Sequence, residues 1–283
     1  MVMSWQLLTA ISVITFSVSV LLRRLLLHQD KSDPMAYVIV FQGLVGVITL
    51  VYALVHGFHM PDLGSYWFAM LLTVVLYAAG HVASTGAFQR IEASVFSVLF
   101  ATSAIWTMLG GAILFGDHLT LKQFIGVLLI FASVLILVER KGLLKLDKGI
   151  WLGLLTGMFF GLATTGWAYV GRHADVPSWT ALSFLGPALV VLIARPKATL
   201  QLPSFLHGTL LTRMALLGVI FSVSALASLF AYRDGNVSLV AVLQQTGIIV
   251  TTLLGIIFLR ERQKLWQKAL AAVVCFVAVL LVV

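Results

Sequence analysis

The stretch AFQRIEASVFSVLFATSAIWTMLGGAILFGDHLTLKQFIG, residues 87–126, has a second copy at residues 231–270, AYRDGNVSLVAVLQQTGIIVTTLLGIIFLRERQKLWQKAL. A shift of 144 positions lays Ser94 on Ser238, Leu99 on Leu243, Thr102 on Thr246, Thr107 on Thr251, Gly111 on Gly255, Leu121 on Leu265 and Gln123 on Gln267. Asp117 and Glu261, each just past a long apolar run, coincide as well. A unit duplicated around apolar runs is the usual sequence trace of a membrane transporter.

Composition agrees. Of 283 residues, 61% are hydrophobic and 10% charged, against about 25% charged in a soluble domain. Ten stretches read as spanning helices: Trp5–Leu22, Pro34–Val55, Leu63–Phe88, Ala93–Gly116, Leu119–Val138, Gly149–Gly171, Val176–Ala194, Met214–Tyr232, Gly235–Leu259 and Leu265–Val283. Most reach the roughly 18–20 residues that a hydrocarbon core requires without an ionised side chain. The fifth and tenth do so by including Lys122 and Lys268 near their starts, where long side chains can snorkel. The runs are continuous rather than alternating, which excludes a barrel. The expected fold is therefore all-α and integral to the membrane, with ten transmembrane helices in two five-helix repeats, residues 1–138 and 149–283, joined by the charged segment 139–148. Because five is odd, the second repeat must enter from the opposite face, giving an inverted repeat with its pseudo-two-fold axis in the membrane plane.

No soluble domain is expected, the longest connection being Pro196–Arg213, and the N-terminus carries no basic segment of the kind that begins a cleavable leader. Cys275 is the single cysteine, so no intrachain disulfide forms. The net charge of +8 comes from residues flanking the spans, which ties it to orientation and anionic lipid rather than to nucleic acid. Fifteen Lys and Arg residues follow odd-numbered spans and three follow even-numbered ones. The positive-inside rule then puts both termini outside, in a multi-pass protein of the plasma (inner) membrane.

The sequence resembles the drug/metabolite transporter superfamily, EamA type. The likeness is carried by Ala-Phe-Gln-Arg-Ile-Glu-Ala-Ser at 87–94, the fourth span, Gly116-Asp117 and Leu-Lys-Gln-Phe-Ile-Gly at 121–126, echoed by Asn-Val-Ser at 236–238 and Leu259-Arg260-Glu261. It extends over the whole chain in layout. The family often has a proline midway along the fourth and ninth spans, and both are proline-free here. The resemblance implies a secondary transporter with a central cavity lined by the first, third, fourth, sixth, eighth and ninth spans, with the fifth and tenth peripheral. It also implies cytoplasmic termini, against the charge count.

Polar groups within a span are costly unless paired or facing water, so they are the first candidates for function. By these span limits no Asp, Glu, Lys or Arg lies near a span centre, which points to a neutral or zwitterionic, amino-acid-like or amphipathic substrate. His81 is the one side chain well inside a span that titrates near neutrality; it is a proton-coupling candidate or a hydrogen-bonded core imidazole. Gln244 and Gln245 sit near the centre of the ninth span, opposite Phe100 and Ala101 of the first copy, so the scaffold itself does not demand amides. They are candidates for substrate contact or for interhelical bonding. Trp106 lies at the centre of its span, whereas Trp5, Trp67, Trp151, Trp179 and Trp266 lie near span ends. It is a stacking wall or a packing residue. Thr102, Ser103 and Tyr77 are further substrate-binding candidates. Gly153, Gly157 and Gly161 form a small-residue stripe for close helix packing.

No HExxH, Cys/His cluster or intramembrane carboxylate pair is present, so an enzyme is not expected, nor a metal or other cofactor. Without a nucleotide-binding loop, the driving force is an ion gradient, substrate exchange or the substrate's own gradient. The leading expectation is alternating access around a midplane site, with a lipid or lipid-carrier flippase and a passive facilitator as alternatives. The expected partners are a small-molecule substrate and the lipid bilayer. A monomer is the default, and a dimer stays open.

Overall fold

A computed structural model describes residues 4–28, 33–115, 120–137, 147–171, 173–205, 207–234, 243–244, 246–260 and 264–282. Its regular elements are all helical: α1 (Trp5–His28), α2 (Pro34–Val55), α3 (Leu63–Phe88), α4 (Ala93–Phe100), α5 (Ser103–Phe115), α6 (Leu121–Leu137), α7 (Lys148–Gly171), α8 (Val176–Ala194), the short α9 (Leu202–Phe205), α10 (Gly208–Asp234), α11 (Gly247–Phe258) and α12 (Leu265–Val282). Six of them are long and apolar enough to cross a membrane, and shorter apolar helices cover Ala93–Thr107, Ile125–Ile136, Gly247–Phe258 and Leu265–Ala278. Large apolar side chains such as Val55, Trp67, Phe68, Ile113 and Ile193 stay uncovered on the outside. That is the reverse of a soluble core, and it is the surface a bilayer covers. The chain is a multi-pass membrane protein.

Aspartates begin three of the helices, α2, α3 and α8. Asp33 accepts from the Met35 amide at 2.8 Å, Asp62 from the Gly64 amide at 2.8 Å and Asp175 from the Ser178 amide at 3.0 Å. Each caps an orphan amide of a first turn.

Glycine sets how the helices pack. Along the α3–α7 seam, Gly166 meets Thr73, Gly80 meets Phe160 and Gly86 meets Leu152. Rising numbers on α3 pair with falling ones on α7, so the two run antiparallel. The α1–α10 seam runs the same way: Ser224 donates to the Ser12 carbonyl at 3.0 Å, and the Phe16 ring lies tilted against Phe221 with centroids 6.2 Å apart. On its other side α7 packs in parallel against α4 and α5, Gly153 meeting Leu99, Gly157 meeting Thr102 and Gly161 meeting Ser103 and Trp106. α2 pairs with α8, and α6 with α12. A half-buried ion pair ties Lys268 of α12 to Glu92, the residue before α4.

Several limits differ from the sequence reading. The eighth span, expected from Met214, begins at Gly208 and takes Arg213 into α10, so the connection before it is shorter than Pro196–Arg213; the start of the ninth, expected at Gly235, lies outside the described residues. The first span was expected to end at Leu22, but α1 continues to His28 and buries Arg23 and Arg24. Both cations find partners inside: Arg23 donates to Ser84 Oγ at 2.8 Å and Arg24 to the Phe88 carbonyl. The fourth span is not one helix. It breaks at Ala101–Thr102, although no proline is present. Here amides bond three residues back rather than four, Thr102 to Leu99, Ala104 to Ala101 and Ile105 to Thr102. The Thr102 hydroxyl adds a bond to the Leu99 carbonyl at 2.7 Å. Thr246, its counterpart in the second copy, repeats the pattern, its amide bonding Leu243 and its hydroxyl reaching the Leu243 carbonyl at 2.6 Å. Local hydroxyl bonds of this kind compete with the helical ladder and do the work of the missing proline.

A methyl at Gly161 would lie 2.4 Å from the Ser103 carbonyl oxygen, which is backbone and cannot step aside. Gly161→Ala should cost about 1–3 kcal/mol by overpacking, read as a lower melting temperature in detergent. Gly43→Ala, on α2 with open space around it, is the control: it should gain up to about 1 kcal/mol from helix propensity. Equal melting shifts would show that the α5–α7 approach is not tight.

Candidate functional site

A cavity of about 370 Å³ lies between the two halves. α1 contributes Ser12, Phe16 and Val20; α3 Tyr77 and His81; α4 Phe96, Ser97 and Phe100; α7 Phe160, Thr164 and Trp167; α8 Thr180, Ser183 and Phe184. The opposite wall comes from Phe221, Ser224, Ala225 and Ser228 of α10, from Gln244, and from Gly247, Ile248 and Thr251 of α11. These are the elements that the family resemblance implied, with α8 added. Aromatic edges form the wall. Phe160 lies 5.6 Å from Tyr77 and 5.6 Å from Phe100, and Phe221 lies 5.8 Å from Phe184, all edge-on. Such geometries are favourable for ring quadrupoles. The 144-residue shift maps Phe16 onto Phe160 and Tyr77 onto Phe221, so four rings of the wall form two repeat-related pairs. No Asp, Glu, Lys or Arg lines it among the described residues.

The repeat is broken at the two ends of the cavity. Along α1, Ser12 faces Ser224 and Phe16 faces Phe221, so Ser228 lies level with the N-terminal side of α1. There Gln244 Nε2 donates to Ser228 Oγ at 2.6 Å. Towards the C-terminal side of α1 stand Val20 and His81. His81 is 3% exposed and its Nδ1 has no hydrogen-bond partner. Its ring meets Phe160 edge-on at 4.7 Å and lies 6.4 Å from Tyr77 and 6.3 Å from Phe41. The repeat-related positions are Ala225 for His81 and Phe100 for Gln244, so each end carries a polar group that the other lacks.

Of the residues singled out in the sequence, Tyr77, His81 and Gln244 come together around this cavity. Trp106, Thr102 and Ser103 do not line it: they face Gly157 and Gly161 of α7. Thr102 is 4% exposed and its hydroxyl is spent on the Leu99 carbonyl. The glycine stripe Gly153, Gly157 and Gly161 is the surface they pack on. Gln245 lies outside the described residues. The sequence reading missed the phenylalanines of the wall and also Arg23. A phenylalanine in a span is indistinguishable from core by type, although the recurrence of Phe16 as Phe160 was a usable signal. No cluster of metal-ligating side chains occurs among the described residues.

The model of the EamA-like transporter family matches residues 3–139 and, a second time, residues 147–283. No curated protein sequence matches. Several solved structures match, among them a crystal structure with a TM-score of 0.69 that covers 98% of this chain and 96% of its own at 14% identity. Likeness at that identity concerns the fold alone.

A double-mutant cycle on Gln244→Leu and Ser228→Ala, followed by melting in detergent, should return a coupling of about 0.5–1.5 kcal/mol. Additive effects would mean that Ser228 does not hold the amide.

Proposed function

The chain belongs to the EamA-like transporter family, whose members are transporters and not enzymes, and from that premise we propose that it moves a small zwitterionic or neutral, amino-acid-like or amphipathic metabolite by alternating access. The observation that carries this reading is the cavity itself. It sits between the halves, is walled by rings and hydroxyls, and has no Asp, Glu, Lys or Arg on its lining among the described residues. A strongly charged substrate would lack a counter-charge there, whereas an apolar or aromatic body with a few donors and acceptors finds both stacking surfaces and Ser, Thr and Gln partners.

The same proposal takes the chain as ten spans in two inverted five-helix units. Support comes from the antiparallel α3–α7 and α1–α10 registers and from the C-terminal turns of α1 and α3, which lie together through Arg23–Ser84 and Arg24–Phe88. If α1 and α3 run parallel, α7 opposes α1, and the halves enter from opposite faces. Rocking of one half against the other would then expose the cavity alternately. The charge bias of the loops supports termini outside a plasma (inner) membrane.

The test is binding and flux with the purified protein. Neutral amino acids and related amphipathic metabolites should raise the melting temperature in detergent and exchange across proteoliposomes above empty-vesicle background. Gln244→Ala and Tyr77→Ala should each raise the half-saturating concentration about tenfold, the equivalent of one lost hydrogen bond at about 1.4 kcal/mol. Flux confined to lipid-linked compounds, or indifferent to both substitutions, would sink the reading.

A further inference from the structure

A cation is buried one turn beyond the cavity. Arg23 is 6% exposed, and its guanidinium lies between two rings, 4.8 Å from the centroid of Phe88 and 5.1 Å from that of Phe41. Of its five N–H donors, Nη2 is engaged with Ser84 Oγ at 2.8 Å, while Nε has no acceptor. The Tyr37 hydroxyl stands beside the guanidinium and interacts with it. No carboxylate pairs with Arg23 among the described residues. A membrane-edge arginine that served topology alone would snorkel outward; this one is covered by protein.

Its position relative to the cavity is fixed by two helices. Val20 and His81 line the cavity, and Arg23 and Ser84 each follow three residues later on α1 and α3. The Arg23–Ser84 bond therefore lies roughly 5 Å past the end wall. Phe41, which covers the guanidinium, also touches the wall through Phe221 at 5.1 Å. The unpartnered Nδ1 of His81 belongs to the same end.

We propose that Arg23 anchors the carboxylate of the substrate. This rests on the reading of the cavity as the transport site and narrows its ligand to an amphipathic carboxylate, an apolar or aromatic body with one carboxylate head. The body lies among Phe16, Phe100, Phe160 and Phe221, and the head reaches past His81 to the guanidinium, with the Tyr37 hydroxyl as a further donor. The planar guanidinium fork suits a carboxylate, and its weak hydration suits a dry site. The sequence-level inference of a neutral site omitted this charge, since Arg23 was assigned to a loop.

The experiment compares L-phenylalanine with L-phenylalaninamide, and 3-phenylpropionate with 3-phenylpropionamide, as ligands in thermal-shift titrations of the full-length protein in detergent. The wild type should be stabilised by the acids at concentrations at least about 30-fold below those of the amides, the size expected when one partner of a buried charge pair is removed. Arg23→Gln should abolish that preference. Arg23→Lys keeps the charge without the fork and should retain the preference with about tenfold weaker acid binding; it decides the matter if Arg23→Gln does not fold. Acids and amides that bind equally, yet lose binding in Gln244→Ala, would overturn the Arg23 anchor and leave the cavity standing. Acid binding unchanged in both Arg23 variants would also overturn it. Acids that fail to stabilise the wild type overturn it as well, and binding untouched by Gln244→Ala would remove the cavity reading beneath it.

Discussion

The architecture depends on how closely α7 can approach its neighbours. It is held on one side by α3 and on the other by α4–α5, and both seams are places where a Cβ is missing: Gly80 and Gly86 on α3, Gly153, Gly157, Gly161 and Gly166 on α7, and Gly110 on α5. Between helices in lipid there is no hydrophobic driving force, and close van der Waals contact has to supply the cohesion. The ring of Phe160, the hydroxyl of Thr164 and the indole of Trp167 reach the cavity from this same helix. Glycine along α7 and its neighbours thus fixes the place of the aromatic residues beside it.

A second demand of the bilayer is that no backbone group be left dry and unpaired. The break in the fourth span meets it without proline. Bonds to the third residue back, joined by the Thr102 hydroxyl, keep the carbonyl of Leu99 occupied where the ladder changes pitch. Cys275 closes in on the neighbouring carbonyl of Val98 at 3.9 Å from α12. Thr246 repeats the arrangement in the second copy. The repeat has conserved a backbone event here while leaving the side chains of the cavity free to diverge.

Much of the fold was legible because lipid imposes a coarse code: run length located the helices, and the 144-residue shift exposed the duplication. What misled was the treatment of charge as a boundary. Arg23 and Arg24 read as the end of a span because ionised side chains are expected at headgroups, and only a tertiary contact, with Ser84 and Phe88 more than 60 residues away, makes their burial tolerable. The candidate site was legible in part for a related reason. His81, Tyr77 and Gln244 stood out as polar groups in apolar surroundings, and they line the cavity. Trp106 stood out equally by depth, but depth says nothing about which side of a helix a residue occupies, and its side faces Gly161. The repeat carried the missing directional information, since Phe16 and Phe160 occupy equivalent places in both copies.

The longest connection between spans is not slack. Between α8 and α10 the chain makes a tight helical turn over Pro196–Gln201, buries Ala198 and Phe205 to 1% exposure, sets the Phe205 ring 6.3 Å from Tyr37, and offers Gln201 Oε1 to the Asp33 amide at 3.0 Å. It is a clasp across the base of α2 and not a spare length of chain. An engineer seeking a place to insert a fluorescent protein, an epitope or an antibody-fragment handle would choose this segment by length and would pry open the start of α2 by doing so.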